Sequence, residues 1–479
     1  MMTLAAAAQA TGGELANCDA QGSFVGVCTD SRSVKAGELF IALRGENFDG
    51  HDYVVAALGA GAAAAMVEAK WVAEFARRTR TEAKGGPLPL LVVADTRLAL
   101  GRLAAYWRGR FELPLIAVTG SNGKTTVKEM CAAILRAQAR AAGLDPAGAV
   151  LATAGNLNND IGMPLTLLKL NAGHRAAVIE MGMNHPGEIG YLTNIARPSV
   201  AVVTNAQRAH LAGLGSIKAV AQAKGEIFAG LIDAGTAVIN DDDAHAALWR
   251  ELAGSHRIIG FSLEGAAGSG AKVTGELGHR AFGSRLQLST PAGAAAVELR
   301  LPGRHNAANA LAATAACLAA GADLAAVVAG LSGYAGAKGR LQRRAAMNAA
   351  TLIDDSYNAN PDSMRAAIDV LAALPGKKIL VIGDMGEIGA AAAQFHDEIG
   401  GYAKSMGIDR LLAVGEQTAT AVRNFDGGGS HFKNVTALIE SLRRLLDADT
   451  TVLVKGSRFM KMERVVDAIA AQEGESDVA

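Results

Sequence analysis

The sequence has few aromatic residues and no net charge. Phe, Trp and Tyr make up 4% of the 479 residues, so the cores must be built mainly from aliphatic side chains. Lysine plus arginine and aspartate plus glutamate both number 46, which gives a formal net charge of zero. A nucleic-acid binder that relies on bulk charge needs a basic surplus, so this balance argues against such a function. The hydrophobic fraction of 50% argues against long disordered tails.

Cysteines are scarce, and long apolar runs are missing. The four cysteines are Cys18, Cys28, Cys131 and Cys317, and none of them lies in a CxxC pair or in a cluster with histidine. A disulfide scaffold or a structural zinc site is therefore not expected. The longest apolar run, from Val54 to Val67, is shorter than the ~20 residues of a membrane-spanning helix, and the N-terminus lacks the basic region of a signal peptide. We therefore expect a cytoplasmic protein without membrane insertion.

Length and strand patterning predict three α/β domains. Residues 1–112 mix short strands with Ala-rich helices and predict a small N-terminal α/β domain, with a surface loop from Arg77 to Pro89. In residues 113–334, near-continuous apolar runs alternate with helical stretches, which is typical of a mostly parallel sheet in a doubly wound domain. Residues 335–479 repeat the pattern and predict a smaller, Rossmann-like C-terminal domain.

The strongest local signal is the segment LIAVTGSNGKTTVKEM, in which an apolar strand passes through a Gly-rich loop into a helix. A phosphate-binding loop requires this context, and the alternative is an ordinary strand–turn–helix corner. Backbone N–H groups of the loop would converge at the positive end of the helix. Lys124 would face the β- and γ-phosphates, and the Thr125 hydroxyl can ligate Mg²⁺. The residues expected to bind ATP are Gly120, Ser121, Asn122, Gly123, Lys124, Thr125 and Thr126.

Three side chains beyond the loop could serve the same site, and each has an ordinary alternative. Glu180 ends an apolar strand, where a carboxylate can face a metal ion, be exposed or cap a helix. His210 follows another strand and could be a ligand or a structural histidine. Lys224 lies in a helical stretch, where a solvated surface lysine is the default. The run from Asp241 to Asp243 resembles a metal cluster, but its place after a strand indicates a turn and a helix N-terminus.

Two later segments concentrate polar side chains. Asn306 and Asn309 begin an Ala-rich helix, where their amides could bind a nucleotide base or cap the helix. A dense polar loop from Asp355 to Asn360 follows an apolar strand. This loop is more polar than a turn needs, so we expect it to contact a ligand, whereas Asp362 or Ser363 could simply cap the next helix.

Together these segments resemble the Mur ligase family, the ATP-dependent enzymes that build the peptide stem of bacterial peptidoglycan. TGSNGKTT is similar to the short phosphate loop of that family. The segments DSYNANP and NNDIGMP resemble the members that add D-alanyl-D-alanine to UDP-N-acetylmuramoyl-tripeptide. The matches occur in order across all three predicted domains: TDSR at 29–32, LFIALRGENFDGHDY at 39–53, GNLNNDIGMPLTLL at 155–168, EMGMNHPGEI at 180–189, AKGEIF at 223–228, DDSYNANPDSM at 354–364, GDMGEIG at 383–389 and KGSRFMKME at 455–463.

The resemblance implies a role for each matched catalytic residue. Lys124 and its loop would hold ATP, with Thr125 and Glu180 on one Mg²⁺. His210 and Lys224 would serve a second Mg²⁺, the lysine as a carbamate formed with CO₂. The carbamate replaces a cation that would repel Mg²⁺ with an anionic oxygen ligand, which overturns the surface interpretation of Lys224.

The resemblance also implies contacts to the substrates. Asn306 and Asn309 would lie near adenine, Arg340 near the γ-phosphate and Asp355 near the ribose. The UDP moiety would be bound by a region that includes Ser31 and Arg32. The residues implied to contact the peptide substrates are Asn159, Tyr357, Asn358, Lys455, Ser457 and Arg458.

The implied reaction activates the tripeptide carboxylate as an acyl phosphate, which the amine of D-alanyl-D-alanine then attacks. Because water destroys an acyl phosphate, we expect the third domain of a monomeric enzyme to close as a rigid body and bring in Arg340 and Asp355. Two alternatives stay open. One is a sister ligase that adds a single amino acid or that polyglutamylates folate, and the other is a P-loop protein that acts on nucleic acid.

Overall fold

The computed structural model describes residues 1–79, 87–265, 272–279 and 282–471. It forms three α/β parts, each built around its own main sheet, which confirms the predicted fold class. The main sheet of the first part ends at Val93, that of the second runs from Leu115 to Leu299, and that of the third begins at Gln342. The domain boundaries near 112 and 335 stay predictions.

The N-terminal part holds a five-stranded and a two-stranded sheet. Its strands are β1 (Met2–Thr3), β2 (Glu14–Ala16), β3 (Ser23–Phe24), β4 (Val27–Cys28), β5 (Leu39–Ile41), β6 (Ala64–Glu68) and β7 (Leu90–Val93), and its helices are α1 (Leu4–Thr11), α2 (Val54–Gly59), α3 (Ala69–Thr79) and α4 (Thr96–Arg108). The order of the larger sheet is β2-β7-β6-β5-β4, with only β2 antiparallel to its neighbour.

The loop predicted from Arg77 to Pro89 is wrong at its start, because α3 continues to Thr79. Residues 80–86 of that prediction lie outside the described residues. Helix α4 begins at Thr96. Its N-cap Asp95 accepts hydrogen bonds from two backbone N–H groups of the first turn.

The central part is built on a nine-stranded sheet of order β16-β15-β14-β13-β12-β11-β8-β10-β9. The strands are β8 (Leu115–Thr119), β9 (Val150–Ala152), β10 (Ala176–Glu180), β11 (Val200–Val203), β12 (Thr236–Asn240), β13 (Arg257–Ser262), β14 (Val273–His279), β15 (Ser284–Thr290) and β16 (Gly293–Leu299). The helices are α5 (Lys124–Ala141), α6 (Pro146–Ala149), α7 (Gly162–Leu167), α8 (Glu188–Ala196), α9 (Leu211–Leu214), α10 (Ile217–Gly225), α11 (Ala246–Ala253), α12 (Arg304–Ala319) and α13 (Leu324–Gly333).

The parallel strands of this sheet confirm the sequence prediction. The apolar runs predicted as buried parallel strands are β8, β10, β11, β12 and β13, and all pair in parallel. Strand β14 pairs in parallel with β13, and β15 and β16 extend the sheet in antiparallel fashion. These three strands were not predicted. One face packs into a core that continues into the N-terminal part, where Leu103 of α4 joins the same cluster as Leu192 of α8.

The C-terminal part has a six-stranded sheet of order β17-β18-β22-β19-β20-β21, with only β17 antiparallel. Its strands are β17 (Gln342–Ala345), β18 (Thr351–Asp355), β19 (Lys377–Gly383), β20 (Arg410–Val414), β21 (Gly429–Phe432) and β22 (Thr450–Lys455), and its helices are α14 (Pro361–Ala372), α15 (Ala392–Ser405), α16 (Thr418–Phe425), α17 (Val435–Arg443) and α18 (Glu463–Ile469).

The order of the strands determines where a site can form. Strand β8 lies between β10 and β11, so the carboxyl ends of these three parallel strands meet at one edge of the central sheet. Ligands bind at such an edge in open α/β sheets. Within the described residues, no helix is long and apolar enough to span a membrane.

Candidate active site

The phosphate loop connects β8 to α5 and needs two of its glycines for conformation and for space. Gly120 has φ +146° and Gly123 has φ +83°, both in the region that side chains disfavour. A Cβ on Gly123 would lie 2.3 Å from Oδ1 of Asn309. The loop can therefore approach helix α12 closely only with glycine at this position.

A second loop, residues 204–210 after β11, supports the phosphate loop. The backbone N–H of Ser121 donates to the carbonyl of Asn205 at 3.0 Å. The backbone N–H of Asn122 donates to Oδ1 of Asn205 at 2.9 Å, and its side-chain amide donates to Oε1 of Gln207 at 2.6 Å. We call residues 204–210 the support loop, because it fixes the backbone that would cradle phosphate.

Lys124 begins α5 and lies over the phosphate loop. Its Nζ donates to the carbonyl of Gly120 at 2.7 Å and to that of Ser121 at 3.2 Å. Burial lowers the pKa of Lys124, and the nearby carboxylate of Glu180 opposes this effect. A lysine at this place can exchange its carbonyl partners for phosphate oxygens without leaving the loop.

Glu180 is buried at the carboxyl end of β10, with 2% of its surface exposed, so the solvent-exposed alternative is wrong. Its backbone N–H donates to Oγ1 of Thr153 at 2.9 Å, and Oε1 accepts from the Asn158 amide at 2.8 Å. Oε2 has no hydrogen-bond partner among the described residues. An unpaired, buried carboxylate oxygen beside a cavity fits a divalent cation, which takes oxygen ligands.

Lys224 lies on α10 with none of its surface exposed, so the interpretation as a surface lysine is wrong. Its Nζ finds no hydrogen-bond partner in the part of the chain that the structure describes. Burial lowers the pKa of Lys224 well below its usual value, and repulsion from Lys124 adds to this. The neutral amine is the form that reacts with CO₂, so the environment fits the implied carbamate.

His210 ends the support loop in a left-handed conformation, with φ +56°. Its Nδ1 lies 2.8 Å from Oε2 of Glu387, a residue of the C-terminal part. Burial lowers the pKa of His210, and the hydrogen bond to Glu387 opposes this shift. The hydrogen bond from His210 in turn lowers the pKa of Glu387. His210 is thus a contact between two parts of the chain as well as a candidate ligand.

Acidic side chains form no metal site of their own in the described residues. Across the described ranges, no three His, Cys, Asp or Glu side chains converge as a metal site would require. The aspartate run forms the predicted turn before α11. Asp241 pairs with Arg250 at 2.6 Å, and Asp243 accepts from the backbone N–H of Ala206 at 2.8 Å. A carbamate on Lys224 would add an acidic oxygen to this site.

A cavity of about 770 Å³ lies in front of the phosphate loop, and all three parts of the chain line it. Asp95 and Arg97 come from the N-terminal part, and Asp160 from the central part. The predicted site residues that line this main cavity are Ser121, Asn122, Gly123, Lys124, Thr125, Thr126, Asn159, Glu180, His210, Arg340, Tyr357, Asn358 and Arg458.

A smaller cavity of about 260 Å³ lies on the other side of the phosphate loop. It collects the predicted residues Asn306, Asn309, Asp355 and Lys455, and Arg340 lines both cavities. Nζ of Lys455 lies 2.6 Å from Oδ2 of Asp355, and burial lowers the pKa of this lysine. The capping alternative for the two asparagines is wrong, because Gly303 is the N-cap of α12.

Some predicted residues lie away from both cavities. Arg32 is exposed and pairs with Asp30 at 2.7 Å, and its neighbour Ser31 lies on the same N-terminal loop. Ser457 is buried, and its hydroxyl donates to the carbonyl of Asp384. The predicted residues that line neither cavity are Gly120, Lys224, Ser31, Arg32 and Ser457.

The sequence prediction missed several charged residues. Arg97 binds Asp160 with 2.7 Å between Nη2 and Oδ1, which joins the N-terminal and central parts at the cavity. Arg208 and Glu387 join the central and C-terminal parts. Asp160 and Glu387 lie in motifs that carried the family resemblance, which could have identified them, whereas the sequence around Arg208 gives no such signal.

The sequence matches known protein families in all three parts of the chain. The Mur ligase family catalytic domain matches residues 23–108, the Mur ligase middle domain residues 118–317, and the Mur ligase glutamate ligase domain residues 339–458. UDP-N-acetylmuramoyl-tripeptide–D-alanyl-D-alanine ligase of Escherichia coli is 44% identical over 95% of this chain and 96% of its own. The enzyme of the same name from Haemophilus influenzae is 40% identical over 91% of this chain and 92% of its own.

Solved structures agree with the sequence comparison. The crystal structure of MurF from Acinetobacter baumannii superposes with a TM-score of 0.85 and 37% identity, covering 97% of this chain and 98% of that one. The chain therefore belongs to the Mur ligase family, in the branch of the UDP-N-acetylmuramoyl-tripeptide–D-alanyl-D-alanine ligases.

Proposed function

We propose that this ligase joins D-alanyl-D-alanine to UDP-N-acetylmuramoyl-tripeptide and converts ATP to ADP and phosphate. The observation that carries the proposal is the main cavity, which receives side chains from all three parts of the chain. A reaction with three reactants needs such a meeting point. The N-terminal domain, with Ser31 and Arg32, is proposed to bind the UDP moiety, and the enzyme would work in the cytoplasm, where ATP is available.

The first step activates the substrate carboxylate. A carboxylate and an amine do not condense at neutral pH, because the carboxylate offers no good leaving group. The tripeptide carboxylate attacks the γ-phosphorus of ATP, the bond to the β-phosphate oxygen breaks, and ADP leaves. Lys124 and Arg340 offset the negative charge that spreads over the transferred phosphoryl group.

The nucleotide would lie along the phosphate loop, with its base in the smaller cavity. Asn306 and Asn309 offer amide donors and acceptors to adenine, and Asp355 offers a carboxylate to the ribose hydroxyls. Support comes from their shared position beside Gly123 and Thr126, which line both cavities.

Mg²⁺, when bound, would neutralise phosphate charge in this site. Thr125 and Glu180 would hold one ion, and His210 and a carbamate on Lys224 a second. The unpaired Oε2 of Glu180 and the unpaired Nζ of Lys224 support these assignments. Carbamate formation joins the Lys224 nitrogen to the carbon of CO₂ and releases one proton.

The second step forms the amide. The neutral amine of D-alanyl-D-alanine attacks the acyl carbon, a tetrahedral intermediate collapses, and phosphate leaves. Asn159, Tyr357 and Asn358 line the main cavity and are proposed to orient the peptide substrates. The same role is proposed for Arg458, Lys455 and Ser457. Arg458 also lines the main cavity, Lys455 lines the smaller cavity, and Ser457 lines neither.

Water must be excluded while the acyl phosphate exists. Arg340 and Asp355 belong to the C-terminal part yet line cavities built on the phosphate loop. This supports a rigid-body closure of the C-terminal domain onto the central domain during turnover.

The test is phosphate release from ATP and Mg²⁺ with UDP-muramyl-tripeptide and a panel of amine acceptors. We expect release that requires both the tripeptide and D-alanyl-D-alanine. Release with a single amino acid or a folate acceptor would contradict the proposed substrates and indicate a sister ligase.

A further inference from the structure

Arg208 of the support loop binds two carboxylates of the C-terminal part. Its Nε and Nη2 donate to Oδ1 of Asp362 at 3.0 and 2.7 Å, and its backbone N–H donates to Oδ2 of the same residue at 2.8 Å. Its Nη1 donates to Oε2 of Glu398 at 2.8 Å. The guanidinium also lies over the ring of Phe395, 5.3 Å from its centroid. One side chain of the central part is therefore surrounded by three residues of the C-terminal part.

The contact is more than a surface ion pair. The side chains of Arg208, Asp362 and Glu398 are 20%, 23% and 31% exposed. The guanidinium lowers the pKa of Glu398, and the two carboxylates raise that of Arg208. A planar guanidinium that makes several hydrogen bonds and stacks on an aromatic ring fixes both the distance and the relative orientation of the two parts it joins. A lysine cannot fix the orientation in this way.

On the central side, Arg208 is tied to the phosphate loop. The preceding residue, Gln207, accepts from the Asn122 amide and donates its backbone N–H to Oγ of Ser121 at 2.9 Å. The same asparagine side chain reaches the C-terminal part, because the Asn360 amide donates to Oδ1 of Asn122 at 2.8 Å.

On the C-terminal side, the contact falls where the polar loop enters helix α14. Asp362 is the second residue of that helix, and Asn360 is its N-cap. The preceding loop carries Tyr357 into the main cavity, and Cζ of Arg340 lies 4.3 Å from the centroid of the Tyr357 ring. The position of Asp362 therefore determines where Tyr357 and Arg340 stand relative to the phosphate loop.

We infer that Arg208 is a positioning residue for the ligase reaction, which holds the C-terminal domain against the phosphate loop through Asp362 and Glu398. It touches no substrate and acts through the loop before α14. The inference rests on the proposed function, because holding that loop matters when Arg340 faces the transferred phosphoryl group. Without Arg208 the two domains should part more often, and water should reach the acyl phosphate.

The chain offers a matched control. Arg365 also donates to Glu398, at 3.1 Å, and lies over the ring of Tyr402, but both partners belong to its own domain. Arg208→Met and Arg365→Met each remove one guanidinium from the same carboxylate, and only the first removes a contact between domains. Arg208→Lys keeps the charge without the planar fork.

Four measurements on the full-length enzyme test the inference. They are thermal unfolding, small-angle scattering with a non-hydrolysable ATP analogue plus UDP-muramyl-tripeptide, kcat for amide formation, and the ratio of phosphate released to amide formed. For Arg208→Met we expect normal folding, a larger radius of gyration than wild type, kcat lower by about tenfold or more, and a phosphate-to-amide ratio above one. Arg208→Lys should lie between this variant and wild type, and Arg365→Met should match wild type.

The outcomes separate this inference from the proposed function. Wild-type enzyme that forms no amide would overturn the proposed function, while the scattering comparison would still test the domain contact. Wild-type turnover with an Arg208→Met variant of unchanged compactness and unchanged phosphate-to-amide ratio would overturn the positioning role. If Arg208→Met does not fold, a wild-type ratio in Arg208→Lys would overturn it instead.

Discussion

The guanidinium of Arg340 lies over the ring of Tyr357, with 4.3 Å between Cζ and the ring centroid. Both residues belong to the C-terminal part and line the main cavity. The Arg340 Nε is buried and has no hydrogen-bond partner among the described residues. The aromatic face therefore determines the orientation of this guanidinium, because a planar cation stacks on the negative face of a ring.

Replacing Arg340 with lysine should slow turnover although the charge remains. The ammonium loses the stacked orientation and the planar, bidentate donor geometry of the guanidinium. We expect kcat to fall by about tenfold or more, as measured by phosphate release at saturating substrates. Tyr357→Phe retains the ring and should be milder than Tyr357→Ala, and equal effects of the two would contradict the stacking argument.

Gly123→Ala should weaken ATP binding. The new Cβ would meet Oδ1 of Asn309 at 2.3 Å while the residue keeps φ +83°. Gly143→Ala is the matched control, because Gly143 has φ +73° but a Cβ there would meet no atom within 4 Å, at the far end of helix α5. Both variants should lose about 1 kcal/mol of stability from the positive φ. Only Gly123→Ala should raise the dissociation constant for ATP in calorimetric titration, and equal binding by both variants would refute the close approach.

Lys224→Met should stabilise the protein and abolish most activity. In metal-free, CO₂-free buffer the unpaired buried amine costs about 1–3 kcal/mol, which the apolar side chain avoids. The lowered pKa means that the unfolded state binds more protons between that pKa and 10.5, so wild-type stability rises with pH in this window. The advantage of methionine, measured by chemical unfolding, should therefore shrink toward pH 10.

A spectroscopic and an activity measurement on the same variant test the carbamate. ¹³C-labelled bicarbonate should give a carbamate resonance in wild-type enzyme that is absent from Lys224→Met. Near-normal turnover of the variant at low CO₂ would contradict the assignment of Lys224.

His396 should make the C-terminal domain sensitive to acid. Its Nε2 accepts from the backbone N–H of Met385 at 3.0 Å, so the ring is neutral, and Nδ1 donates to the carbonyl of Ala392 at 2.7 Å. Burial lowers the pKa of His396 below the ordinary 6.5. As pH falls below about 6.5 the unfolded state takes up the proton first, so stability falls toward the lowered pKa.

His396→Gln keeps an acceptor and removes the titration. We expect the change in unfolding free energy between pH 7.5 and 5.5 to become smaller by about 1 kcal/mol. An unaltered pH dependence in His396→Gln would contradict the assigned tautomer.

Local patterns explain what could be predicted from the sequence. The apolar run before TGSNGKTT became β8, and the helix after it became α5, because strand, turn and helix signals were adjacent in the chain. Strand β15 was missed although its residues alternate between buried and exposed, the pattern of a half-buried strand. The sequence carries the same signal, because Leu286 and Leu288 alternate with polar neighbours.

Contacts between distant segments could not be predicted. Arg208 and its partner Asp362 are 154 residues apart, and Arg97 and Asp160 are 63 apart. Neither pairing leaves a pattern in the sequence, because a single charged residue looks like a solvated one until its partner is known. The burial of Lys224 was expected only from the family resemblance, since a lysine in a helix is ordinarily exposed.

The smaller cavity has walls from two domains, Asn306 and Asn309 on one side and Asp355 and Lys455 on the other. A ligand that needs both walls binds only the fraction of molecules in which they face each other, and its apparent dissociation constant is the intrinsic one divided by that fraction. A substitution far from the nucleotide can therefore change the measured ATP affinity simply by changing how often the two walls face each other. Conversely, a compound that wedges the two walls apart would compete with ATP without resembling it.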